Sequence, residues 1–286
     1  MALKSVRNLI IAGGLATASL TGVAIAAGGD GPAHGYEMVQ PKWNWSGLTG
    51  TYDQEAMQRG FNVYANVCRA CHNLDQLAFR HLGDKGGPFY DERYPNPNDN
   101  PLVKNIAAQY EVVDIDPEDG SEITRPAVPA DYFPPIYSND VEARSVNNGA
   151  LPPDLSLMVK ARTDGANYVY NLLLAYSHPQ PDYVELSPGQ YYNPVMSGYK
   201  IAMAPQLQPQ AGLFEYQSDT EGQKPPEATV EQMAADLTEF LAWSADPKLA
   251  ERKSAGLMSM TYLVLLGILL WLSYKRIWRR LKKSEA

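Results

Sequence analysis

The sequence predicts a mainly α fold, with short helices joined by long irregular loops and one C-terminal transmembrane helix. Three observations predict it. Apolar residues recur at helical spacing in four segments, a charge-free apolar run lies near the C-terminus, and the only two cysteines share one five-residue window with a histidine.

The chain begins with Lys4 and Arg7, an uncharged apolar run and then Ala24-Ile25-Ala26, the pattern of a secretory signal peptide over residues 1–26. A mitochondrial transit peptide would be richer in arginine, so the reading is a bacterial exported protein. A retained N-terminal anchor is the alternative, which the shortness of the run disfavours. Residues 27–253 then form the exported domain. The leader carries +2 and the C-terminal tail +5 against a total of −8, which leaves −15 between them. Such an acidic domain is not expected to bind nucleic acid; by itself the charge speaks to solubility. No internal repeat or heptad run is present.

The first helix is expected over residues 53–71. Met57, Phe61, Tyr64, Cys68 and Cys71 follow a 4-3-4-3 spacing along one face, so both sulfurs are expected to look the same way. Thr51 or Asp53 can cap it, and Thr51 with Gln54 fits a capping box.

At its end, Cys68, Cys71 and His72 form Cys-x-x-Cys-His. A redox dithiol would leave His72 incidental. A zinc site would need further ligands, yet no other cysteine exists and His34, His81 and His178 stand in no paired spacing. A c-type haem uses all three residues, with both thiols bonded to the vinyl groups and the imidazole on the iron. One covalent haem c is expected, since the motif occurs once.

Further helices are expected at 154–163, 165–176 and 229–243, the last from the stripe Val230, Met233, Leu237, Phe240 and Leu241. The long Pro-rich stretches between them are loops suited to wrapping a large apolar group. Glu111, Asp114, Asp116, Glu118, Asp119 and Glu122 crowd into twelve residues. They form either a solvated loop or a docking surface for a basic electron-transfer partner.

For the second iron ligand, a methionine would make a carrier and an open position an enzyme. Setting aside methionines in the leader, the membrane helix and helical patterns leaves Met38, Met196 and Met203. Met203 is favoured, flanked by small alanines and stiffened by Pro205, with Met196 the alternative.

Residues 254–274 hold no charge and suffice to cross a hydrocarbon core of about 30 Å. Lys275, Arg276, Arg279, Arg280, Lys282 and Lys283 follow in a basic tail, residues 275–286, expected to stay in the cytoplasm. Trp271, Tyr274 and Trp278 suit an interfacial belt. The large domain would then face the periplasm from the bacterial inner membrane.

Taken together, "RGFNVYANVCRACHN", "FRHL", "DYFPPIY", "NNGALPPDLSLMVKAR" and "YKIAMAP" resemble the cytochrome c1 family in order and content over nearly the whole exported region. "NNGALPPDLS" is far more specific than the cysteine motif. The resemblance implies a c-type cytochrome core with long inserted loops, Met203 as the axial methionine, Arg162 and Tyr168 near the haem propionates and Pro153 against the haem. It further implies transfer of one electron from a Rieske iron–sulfur protein to a soluble basic cytochrome c. The setting would be a dimeric bc1 complex with cytochrome b, without independent catalysis by this chain. An anchored haem enzyme with an open sixth position and a free membrane-tethered shuttle are the alternatives from other classes.

Overall fold

The computed structural model describes residues 36–208 and 226–284. The expected signal peptide and His34 lie outside the described residues.

Helix α1, Gln54–Asn66, starts at Asp53, whose carboxylate accepts from the amides of Glu55 and Ala56. Gln54 does not close a box with Thr51; its amide donates instead to the carbonyls of Pro88 and Tyr90. Met57, Phe61 and Tyr64 are buried on one face, as the spacing requires. The helix stops earlier than expected. After Val67 the chain tightens into a 3-10 turn over Cys68–Ala70, with the amides of Cys71 and His72 both donating to Cys68 O. Both cysteines reach one cavity through this turn rather than through a continuous helical face.

Helix α2, Pro101–Ala107, is capped by Asn100. It leads into an antiparallel hairpin of β1, Glu111–Ile115, and β2, Glu122–Pro126, with Val113 opposite Thr124 and Ile115 opposite Glu122. The acidic run is therefore this hairpin and its turn. Gly120, at φ +76°, supplies the left-handed position that closes the turn. Helix α3, Asp140–Val146, and α4, Ala166–Leu174, come next.

Residues 154–163, a helix by sequence expectation, form successive turns instead. Their start is tied to the segment after the cysteine motif through one backbone and two side-chain groups: Leu155 N donates to Asn73 O, while Asp75 N donates to Asp154 Oδ2 and Gln76 N to Ser156 Oγ. Long-range hydrogen bonds here outcompete a weak local preference.

A two-residue antiparallel pair joins β3 (Tyr191–Tyr192) to β4 (Lys200–Ile201), with Met196 in the connection between the two strands and Met203 just after β4. Helix α5, Val230–Ala245, buries Met233, Leu237, Phe240 and Leu241. It packs on α1 so closely that a Cβ on Gly60 would stand 2.0 Å from Asp236 O. Arg59 forks onto Asp236 across the same contact, with both bonds at 2.9 Å. The rings of Phe61, Tyr64, Phe240 and Trp243 continue the seam.

Helix α6, Leu249–Ser284, runs for 36 residues, about 54 Å at the helical rise, so it starts before and ends beyond the expected 254–274 span. Of the described helices, it alone is long and apolar enough to cross a membrane. Its first turns are tied to the domain. Lys253 Nζ donates to the carbonyls of Trp45 and Gly50, and Asp246 receives Arg252 at 2.6 Å and Lys160 at 3.3 Å.

Candidate functional site

A cavity of about 470 Å³ lies where the cysteine turn, the 147–162 segment, α4, the 196–207 segment and α5 converge. Cys68, Cys71, His72, Pro153, Arg162, Tyr168 and Met203 all line it, although they span more than 130 residues of chain. Leu155, Met158, Val169, Leu172, Leu237 and Leu241 make much of the remaining wall. The volume and the apolar lining with a few polar groups suit a large, mostly apolar ligand.

His72 Nδ1 lies 2.8 Å from Pro153 O. A carbonyl only accepts, so Nδ1 carries the proton and Nε2 keeps its lone pair. Burial pushes the His72 pKa down, against the opposing pull of that hydrogen bond, and so supports the neutral ligand form. Tyr64 donates its hydroxyl to His72 O at 3.1 Å, fixing the backbone behind the ring.

Enclosure, and then the neighbouring Cys71, pushes the Cys68 thiol up to about 12. A dithiol for exchange chemistry needs a readily formed thiolate, which this environment opposes. No group of three or more His, Cys, Asp or Glu side chains among the described residues is placed to share a metal ion.

Both Met196 and Met203 reach the cavity. Their sulfurs differ. Tyr168 donates its hydroxyl to Met196 Sδ at 3.6 Å, whereas Met203 is held by its carbonyl, which accepts from Tyr176 at 2.9 Å. Among the described residues the Met203 sulfur takes part in no hydrogen bond. Met38 does not line the cavity. Arg162 is exposed at the cavity, where its described hydrogen bond is a local one to Ala161 O. Its fork therefore remains available to a carboxylate.

None of the six acidic residues lines the cavity. Several carboxylates build the hairpin: Asp114 binds Arg125 at 2.5 Å, Asp116 accepts from Glu118 N, and Asp119 from Ser121 N. Glu111, Glu118 and Glu122 are exposed.

Sequence reasoning missed three supporting residues. Asp154 accepts from Asp75 N and Ser156 N and so binds the segment carrying Pro153 to the chain after His72. Asn193 is fully buried and joins Leu172 O to the loop before Met196. Tyr176 holds the Met203 backbone. Asp154 follows two prolines and precedes Ser156, a turn signal that could have been read; Asn193 and Tyr176 carry no local signal.

A family model described as the Cytochrome C1 family matches residues 43–281. The chain is 34% identical to "Cytochrome c1" of Rhodospirillum rubrum over 278 residues, covering 91% of this chain and 95% of the relative. It is 38% identical to "Cytochrome c1, heme protein, mitochondrial" of Saccharomyces cerevisiae, covering 93% and 79%. With "Cytochrome b/c1" of Bradyrhizobium diazoefficiens identity is 33%, over 94% of this chain and 39% of that longer protein.

Proposed function

The chain belongs to the cytochrome c1 family, and from that premise we propose that its cavity holds one covalent haem c, which takes an electron from a Rieske iron–sulfur protein and passes it to a soluble basic cytochrome c. Members of this family are haem-containing electron-transfer subunits of the bc1 complex. The observation that carries the reading is the convergence on one cavity of Cys68, Cys71, a His72 ring with its Nδ1 already engaged, and Met203, whose sulfur makes no hydrogen bond among the described residues.

When bound, haem supplies an iron that changes charge by one electron without breaking a bond. The chain's residues do the rest. Cys68 and Cys71 provide the two sulfurs for attachment, and the Cys68–Ala70 turn holds them at the cavity wall. His72 would offer Nε2 and Met203 its thioether sulfur to the iron, which would leave small ligands no open position. Arg162 and Tyr168 are the candidates to receive the propionates, with Pro153 orienting His72. Leucine and valine side chains exclude water, which limits reorganisation during transfer.

Helix α6 anchors the chain, and its basic end supports a cytoplasmic tail with residues 27–253 in the periplasm of a bacterial inner membrane, after removal of residues 1–26. Partnership with cytochrome b is supported by the family and by the name of the Bradyrhizobium relative, and the complex is proposed to be dimeric. Glu111, Glu118 and Glu122, helped by Asp114, Asp116 and Asp119, are the proposed docking charges for the basic acceptor.

The test is gentle solubilisation of the membranes followed by denaturing electrophoresis with haem staining. Haem that stays with this chain after denaturation, at a mass below the 31.6 kDa of the full sequence because residues 1–26 are gone, and co-purification with a cytochrome b and an iron–sulfur protein, is the expected result. Haem lost to acid acetone would overturn the covalent reading, and a chain extracted alone would overturn the complex.

A further inference from the structure

Between the two motif cysteines stands Arg69, which the cofactor reading does not use. It does not line the cavity. Its Nη2 donates to Pro134 O at 2.5 Å, and its guanidinium carbon lies 5.7 Å from the centre of the Tyr110 ring. Nε and Nη1 are buried with no hydrogen-bond partner among the described residues. Among the same residues no carboxylate forms an ion pair with it. Asp75 lies within its electrostatic reach but is exposed and makes its side-chain hydrogen bond with Asn73.

A cation left without a counter-ion and with two buried unpaired nitrogens is costly to fold around. One carbonyl and one aromatic face offset part of that cost. Glutamine or alanine in the same turn would avoid it. What only the arginine provides is a permanent positive charge, with two of its three nitrogens buried, in the same turn as both attachment sulfurs and next but two to His72. Inside a protein such a charge acts more strongly than in water and is little screened by salt.

We propose that Arg69 is an electrostatic positioning residue that raises the reduction potential of the haem held by Cys68 and Cys71, an inference that rests on the covalent-haem reading above. Reduction adds one electron and lowers the net charge of the centre by one. A fixed cation beside it stabilises the reduced state relative to the oxidised one, with no proton or further reactant required. At an effective protein dielectric of about 20, one charge roughly 10 Å away changes such an equilibrium constant by about tenfold, which for one electron is about 59 mV.

The test is a redox titration of the full chain in its native complex, wild type against Arg69→Met, Arg69→Gln and Arg69→Lys, each first checked for covalent haem by staining after denaturation. Met and Gln should lower the equilibrium constant for reduction about tenfold, little affected by salt, while Lys keeps it within about twofold of wild type. An unchanged potential in Met and Gln would overturn the proposal. So would a fall in Lys equal to theirs, which would assign the effect to geometry, or loss of haem from Met and Gln alike, which would assign Arg69 to folding of the turn. Haem missing from the wild type would instead overturn the underlying cofactor reading.

Discussion

His72 and Pro153, 81 positions apart, meet through a 2.8 Å contact between Nδ1 and a backbone carbonyl. The proline contributes its carbonyl rather than its ring to this contact. The carbonyl is held in place from the next residue, since Asp154 accepts from Asp75 N at 2.7 Å and Ser156 N at 2.8 Å. Asp154→Ala leaves two amides without that acceptor and should cost about 2 kcal/mol of stability. Loosening of the imidazole should appear as a growing high-spin component in the absorption spectrum, with Asp154→Asn intermediate. An unaltered spectrum in Asp154→Ala would separate Asp154 from the axial site.

Met203→Leu keeps approximate volume and removes the sulfur. The fold should survive, the potential should fall, and carbon monoxide should gain access. Met196→Leu should leave all three close to wild type, because its sulfur already accepts from Tyr168. The opposite pattern in carbon monoxide difference spectra would exchange the two assignments.

The approach of α1 to α5 at Gly60 leaves no room for a side chain, since a Cβ added there would meet Asp236 O at 2.0 Å and Phe240 Cβ at 2.8 Å. Gly60→Ala should therefore separate the helices at a cost of about 3 kcal/mol, lowering Tm by roughly 6–12 °C. Gly256→Ala, where nothing lies within 4 Å, is the control expected to melt like wild type.

Burial in α5 pushes Glu239 up to about 7 from 4.5, although its carboxylate accepts from Asp53 N. A raised carboxyl favours the neutral form in the folded chain. Below about pH 4.5 both states hold the proton; between there and about 7 the unfolded chain releases it first, so stability falls as pH rises and levels off above. The contribution is on the order of 2 kcal/mol after allowance for screening. Melting curves across pH 4–8 should show this slope reduced in Glu239→Gln; an identical pH profile would place the slope elsewhere.

Glu111, Glu118 and Glu122 are the docking candidates least committed to building the hairpin. Changing all three to Gln should slow reaction with a basic cytochrome c at low ionic strength several-fold and flatten its salt dependence while leaving Tm unchanged. Asp114→Asn should instead lower stability, because it breaks the 2.5 Å pair with Arg125. Equal stopped-flow rates for wild type and the triple variant would return the hairpin to a solvated surface.

Residue identity alone sets which atoms are available for chemistry. Two sulfurs and an imidazole at fixed spacing, a thioether among small residues, and a charge-free run ending in lysines and arginines are all local facts, legible before any folding is considered. The faces of α1 and α5 were equally legible, because burial follows helical periodicity. Tertiary contacts chose the backbone's partners. They ended α1 at Asn66, opened 154–163 into turns and folded the acidic run into strands. They also turned Asp154 and Tyr176 into supports for a cavity that neither touches. Over such short segments helix, turn and strand differ little in local free energy. The choice therefore falls to hydrogen bonds and packing from residues distant in the chain, here Asn73 for Leu155, Asp75 for Asp154 and Tyr176 for Met203.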